Sequence, residues 1–150
     1  MSASEAIRLA AAWNDGPSGD DATAIGNLLQ AYAIFTDNGC REELTACFTT
    51  DATWDGTAIG YDDAVGAEQI ADVVLQHLDP ARPMLHLPGP PLLVRIDDDT
   101  VEAFSWCTAT RLVEGVTKPI TYFSYQDVVV RTDLGWLFRS RLLSPTLTHS

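Results

Sequence analysis

His86 is the residue of this chain best suited to moving protons. It stands in Met84-Leu85-His86-Leu87-Pro88-Gly89-Pro90-Pro91, among apolar and stiff neighbours. Imidazole is the side chain matched to proton transfer near neutrality. His86 is equally readable as a neutral histidine packed in a core and bonded to a carbonyl, and on spacing alone that is the simpler reading. Asp37 is the carboxylate of next interest. It opens Asp37-Asn38-Gly39, where a turn-forming aspartate at a helix stop is the plain account. Tyr32 shares the apolar stripe of its segment, so packing is its default role, although a buried hydroxyl needs a partner. Trp54, Phe104, Trp106 and Tyr122 could line a pocket for an apolar molecule, or simply fill a core. His77 falls on the apolar side of its own segment, which reads as core or interface, and His149 belongs to the C-terminal tail.

Stronger signals are missing. The sequence has no glycine-rich phosphate loop, no G-x-S-x-G, no H-E-x-x-H and no EF-hand loop. Three histidines and no clustered thiols do not suggest a zinc site. Asp97-Asp98-Asp99 resembles a metal cluster but sits where a hairpin turn must fall. Chemistry here would rest on isolated acids and bases in a shaped pocket, without metal or cofactor.

The elements that must position these residues come in two styles. Residues 4–13 are Ala-rich and helical in pattern, and 14–19 break them. Asp20 or Asp21 would cap a second helix, in which Ile25, Leu28, Leu29, Tyr32 and Phe35 form one stripe of a 3.6-residue period. On that helix Asp37 is about 120° from Ile25, off the stripe. Gly39 suits the left-handed end of a helix. A short helix over 42–48, a brief strand over 52–56 and a helix from Gly66 to Leu78 follow. After the prolines the style changes to long β-rich runs at 92–96, 101–113, 120–131 and 136–143, with turn residues at 97–99, 114–115 and 132–135. Connections so short force antiparallel neighbours. Helices first and a strand meander afterwards make an α+β domain, with helices on one face of a strongly bent sheet. Neither face of the two longest strands is uniformly charged, so the side the helices leave open calls for a cavity or a partner subunit.

Composition narrows the function classes. A chain of 150 residues, 46% hydrophobic and 20% charged, has the make-up of a single globular domain. Its formal net charge of −12 repels phosphate backbones and anionic lipid, so neither nucleic acid nor a membrane is an expected partner. No apolar run approaches a membrane span, and the N-terminus does not read as a secretory signal. Three cysteines without a C-x-x-C pair read as buried thiols of a reducing compartment, so a soluble cytoplasmic location is expected.

Taken in order, these landmarks resemble the SnoaL-like branch of the nuclear transport factor 2-like superfamily. They are Tyr32-Ala-Ile-Phe-Thr-Asp37, Leu44-Thr-Ala-Cys-Phe48, Thr50-Asp-Ala-Thr-Trp54, Gly66-Ala-Glu-Gln-Ile70, His86, Tyr125-Gln-Asp127, Gly135-Trp136 and Arg141. The superfamily also includes ketosteroid isomerase, scytalone dehydratase and the lindane dehydrochlorinase type. The resemblance covers about 21–143, with 1–19 as an extra helix and loop and 144–150 as a loose tail. It implies a cone-shaped, cystatin-like α+β barrel around one deep pocket, with three to four N-terminal helices on a mostly antiparallel sheet. It also implies that Asp37 pairs with His86, which abstracts a proton, while Tyr32 bonds a substrate oxygen. Arg131 or Arg141 would supply positive charge, with Arg141 the better pocket candidate beside the four aromatics. The proline-rich segment after His86 departs from the pattern, and Pro91 or a neighbour is a candidate for a cis bond.

The resulting expectation is a cofactor-free lyase or isomerase (a dehydratase, double-bond isomerase or cyclase) acting on a mainly apolar, oxygen-bearing small molecule. The rival is a non-catalytic binding or dimerisation module of the same fold. A hollow with Asp37 and His86 facing it favours the first, and a filled barrel the second. Either way the exposed sheet face suggests a homodimer or homotrimer.

Overall fold

In a computed structural model, which describes Ser4 and residues 17–146, the helices come first and the sheet closes over them. Helix α1 is Gly19–Asn38, α2 is Arg41–Thr45 and α3 is Ala67–Leu75. The strands are β1 (Phe48–Asp55), β2 (Asp63–Val65), β3 (Met84–Pro88), β4 (Leu92–Asp97), β5 (Thr100–Val113), β6 (Val116–Thr132) and β7 (Gly135–Pro145). They form one seven-stranded sheet ordered β2-β1-β7-β6-β5-β3, with β4 also on β5. Among these strands only β1 and β7 pair in parallel. Register shifts interrupt four of the pairings. Each such irregularity bends a ladder and adds twist. The sheet therefore curves strongly around α1 without closing on itself, which is the expected α+β architecture.

The core lies between α1 and the concave face. Ile25, Leu28, Leu29 and Tyr32 of the predicted stripe are buried, while Phe35 is only partly so. They meet Val101, Ala103, Cys107, Phe123, Tyr125 and Val129 from the two longest strands. Those strand residues occupy alternate positions, as a two-residue period requires. Burial of this apolar stripe, rather than intrinsic helix propensity, stabilises α1.

Two local devices aim the helix at the sheet. Gly39, at φ 66°, ends α1 in a Schellman motif. Its N–H bonds the Thr36 carbonyl at 3.3 Å, and the Cys40 N–H bonds that of Phe35 at 2.9 Å. At the other end Arg131 and the Trp136 indole both bond Asp21, tying the first turn of α1 to β6 and β7.

Several boundaries differ from the expectations. Helix α1 begins one residue before Asp20, after Ser18, so Asp20 and Asp21 lie in its first turn. Negative charge there still complements the helix dipole. Helix α3 stops at Leu75, three residues early, ahead of the restriction that Pro80 imposes. The segment among the prolines forms an edge strand, β3, which no alternation had announced. Among the described residues no peptide bond is cis, so the candidate bonds near Pro91 are trans. Ser144 and Pro145 belong to β7 rather than to a loose tail. Apart from Ser4, the helix expected over 4–13 lies outside the described residues, as does His149. Among the described residues no helix is long and apolar enough to cross a membrane.

Candidate active site

Asp37 and His86, 49 positions apart, meet where the end of α1 crosses β3. The Schellman stop places Asp37 in the last turn of α1. The edge position of β3 leaves the His86 backbone N–H without a strand partner on that side. One carboxylate takes both donors. Asp37 Oδ2 accepts the His86 backbone N–H at 2.8 Å, and Oδ1 lies 2.6 Å from the ring Nδ1. The side chains are only 12% (His86) and 9% (Asp37) exposed. The turn-forming account of Asp37 and the core account of His86 both miss this contact. A carboxylate at Nδ1 places the hydrogen there and leaves Nε2 as the basic nitrogen. No hydrogen bond engages Nε2 among the described residues.

The pair borders a cavity of about 540 Å³, mouth included. Tyr32, Thr36 and Asp37 line it from α1, Met84 and His86 from β3, and Ala109 from β5. Thr121, Phe123 and Tyr125 of β6 and Leu143 of β7 complete the sheet wall, and Trp54, Ile59, Tyr61, Val74, His77 and Leu78 the rest. Space exists partly because Ala109 stands opposite His86 in the β3–β5 register. Within the lining the Trp54 indole N–H donates to the Tyr32 hydroxyl oxygen at 3.2 Å, so the Tyr32 hydrogen remains free to donate. A Cβ on Gly56 would come within 2.5 Å of the Trp54 ring, which shows how closely that indole is held.

Beneath the tyrosines lies a buried ion pair. Arg141 on β7 bonds Asp127 on β6 through Nε and Nη2, both at 2.8 Å, in the bidentate geometry of an ionised pair. Its guanidinium packs over the rings of Tyr125, Tyr32 and Phe138, at 3.7, 4.2 and 4.2 Å. Burial pushes the Asp127 carboxyl up, with the Arg141 charge pulling against it. Burial also opposes the charge on Arg141, but the Asp127 carboxylate holds the guanidinium above its ordinary value. Burial pushes the Tyr32 hydroxyl up to about 12 and that of Tyr125 well above its usual value. Both are therefore phenols, and hydrogen-bond donors, at neutral pH. Burial likewise lifts the Cys47 and Cys107 thiols to about 11, while Cys40 is half-buried.

Of the expected pocket residues, Trp54 lines the cavity and the others do not. Phe104 packs with Leu92 and Val94 in a separate small cluster. Trp106 and Tyr122, 53% and 49% exposed, lie on the outer face of the sheet. Their strands alternate strictly, and it is Cys107 and Phe123, one residue along, that face inwards. Arg141 lies behind the cavity wall, not in it. Arg131 is a surface residue bound to Asp21 and Asp99. The sequence reading missed His77 and Tyr61, which line the cavity. It also gave no site role to Tyr125 and Asp127, though both stand in a family landmark. Strict alternation through Phe123, Tyr125 and Asp127 was the available signal.

The chain matches the family model described as a SnoaL-like domain over residues 18–142. No curated protein matches it. Among solved structures it is similar to an NTF2-like protein with a cystatin-like fold from Novosphingobium aromaticivorans. That likeness has 21% identity and a TM-score of 0.78, and covers 98% of this chain and 90% of the other. It is also similar to Aln2 from a Streptomyces species, at 18% identity and a TM-score of 0.76, covering 86% and 93%. A proposed scytalone dehydratase from N. aromaticivorans follows at 21% identity and a TM-score of 0.69, covering 85% and 87%. At these identities the likenesses speak to fold alone.

Proposed function

This chain belongs to the SnoaL-like domain family of the NTF2-like superfamily, and on that premise we propose that it is a lyase or isomerase working by proton transfer. The observation that carries the reading is the Asp37–His86 contact at 2.6 Å on the wall of a largely apolar cavity. His86 Nε2 takes a proton from a carbon beside a carbonyl. Asp37 orients the ring and balances the imidazolium that forms. The Tyr32 hydroxyl, kept protonated by burial, donates to the developing oxyanion. The substrate is a mainly apolar, oxygen-bearing small molecule, and the described residues supply the whole of this step. We also propose that the protein associates with itself through the outer face of the sheet.

The test needs no natural substrate. In D2O the protein is expected to speed exchange of the acidic C–H hydrogens of 2-tetralone, followed by NMR. His86→Ala should lower that rate about 10²–10⁴-fold, and Asp37→Asn should lower it too. A folded His86→Ala protein exchanging at the wild-type rate would leave the fold without this chemistry.

A further inference from the structure

One buried polar atom on the cavity wall has no task in the proton-transfer step. The apolar stripe of α1 runs through Ile25, Leu28, Leu29 and Tyr32, and position 36 continues it one turn past Tyr32. Packing alone would be served there by an aliphatic side chain. The chain has Thr36 instead, 5% exposed and lining the cavity. A helical threonine ordinarily turns its hydroxyl back to a carbonyl of the preceding turn. Thr36 Oγ1 makes no such bond; it is buried and has no hydrogen-bond partner among the described residues. Ser105 Oγ, Arg141 Nη1 and Thr146 Oγ1 share that state, but their residues do not line this cavity. A hydroxyl buried without a partner costs stability that a methyl group would not. Where such a group stands on the wall of a hollow, at a position whose pattern calls for an apolar residue, a ligand is the partner it lacks.

The polar groups of the cavity then divide by task. In the proton-transfer reading His86 Nε2 meets the acidic C–H and the Tyr32 hydroxyl meets the carbonyl oxygen, which leaves Thr36 for a further polar atom. Resting on that reading, we propose that Thr36 is a specificity-determining residue and that the substrate is a hydroxylated ketone whose hydroxyl pairs with Thr36 Oγ1. A threonine hydroxyl both donates and accepts. A ligand hydroxyl can answer in either sense, whereas a carbonyl or ether oxygen can only accept. A ketone without that hydroxyl leaves Oγ1 as unsatisfied in the complex as in the empty cavity, and gains nothing from it. The contact selects the substrate and fixes how it lies against His86; no bond forms or breaks at Thr36.

Phenylacetone and its ortho-, meta- and para-hydroxy derivatives test this, each followed by NMR for hydrogen exchange beside the ketone in D2O. The wild-type protein should exchange one of the hydroxylated ketones with a kcat/KM about 10–100-fold above that of phenylacetone. In Thr36→Val that preference should vanish, and in Thr36→Ser, which keeps the hydroxyl, it should persist. A merely structural threonine would leave the preference unmoved. Thr36→Val should also raise the urea midpoint of the ligand-free protein, because valine keeps the branched shape and removes the unpaired hydroxyl. A wild-type protein that prefers none of the hydroxylated ketones overturns the proposal. So does a Thr36→Val protein that keeps the preference or unfolds at lower urea. Failure of the wild type to exchange any of these ketones, or 2-tetralone, would instead sink the proton-transfer reading, and this proposal with it.

Discussion

The Tyr32 hydroxyl sits where burial and chemistry meet. Burial disfavours its ionisation until well above the usual range, even though the Arg141 guanidinium beside the ring pulls the other way. That has a consequence for alkaline stability. A phenol whose pKa is raised on folding binds its proton more tightly in the folded state. The associated stability is complete below pH 10.0 and is lost as the pH climbs towards about 12. One such group accounts for up to roughly 3 kcal/mol. Urea midpoints should therefore fall across that window, and Tyr32→Phe should fall less steeply. Equal slopes would mean that Tyr32 ionises as freely folded as unfolded. At this scale the sequence offered residue types but not their company. Tyr32, Asp37 and His86 were singled out, whereas His77 was given a packing role because its helical stripe and a cavity wall look alike in one dimension.

At the scale of elements, β6 and β7 are joined by more than their ladder. Asp127 and Arg141 face each other in register and are fully buried, so each satisfies a charge that the other would leave stranded. Removing one partner is expected to cost about 3–5 kcal/mol, since an unpaired charge remains in the core. Asp127→Asn alone should thus unfold at much lower urea than Asp127→Leu combined with Arg141→Met. A double-mutant cycle in which the two single changes simply add would contradict this coupling. Strand positions were readable from alternation, and the four long runs fall where expected. Strand β3 was not, because proline and glycine hide its pattern and its partner β5 is distant in sequence.

For the whole molecule, the outer face of the sheet stands out against a chain of net charge −12. Register places Leu87, Thr108 and Tyr122 in one row, Trp106, Ser124 and Ser144 in the next, and Phe104, Gln126 and Leu142 in a third. None of these residues is charged, and Leu87, Trp106, Tyr122 and Leu142 are exposed there. An uncharged apolar face is where two acidic copies meet with least repulsion. Sedimentation at micromolar concentration should show a species larger than the monomer, and Trp106→Arg should return it to monomer. A wild-type protein that sediments only as monomer would leave that face without a second copy.

The sequence of helices followed by long strands, the stripe of α1 and the alternation of β5 and β6 were determined by sequence alone. Each depends on neighbours a few residues away, whose periodicity records which side is apolar. Alternation defines two faces of a strand but does not say which one a helix will cover, so Trp106 and Tyr122 could be placed inside until the packing of α1 chose the other face. The meeting of Asp37 with His86 likewise needed the tertiary structure. It depends on where a capped helix end crosses an edge strand, a coincidence of two elements that no local pattern encodes.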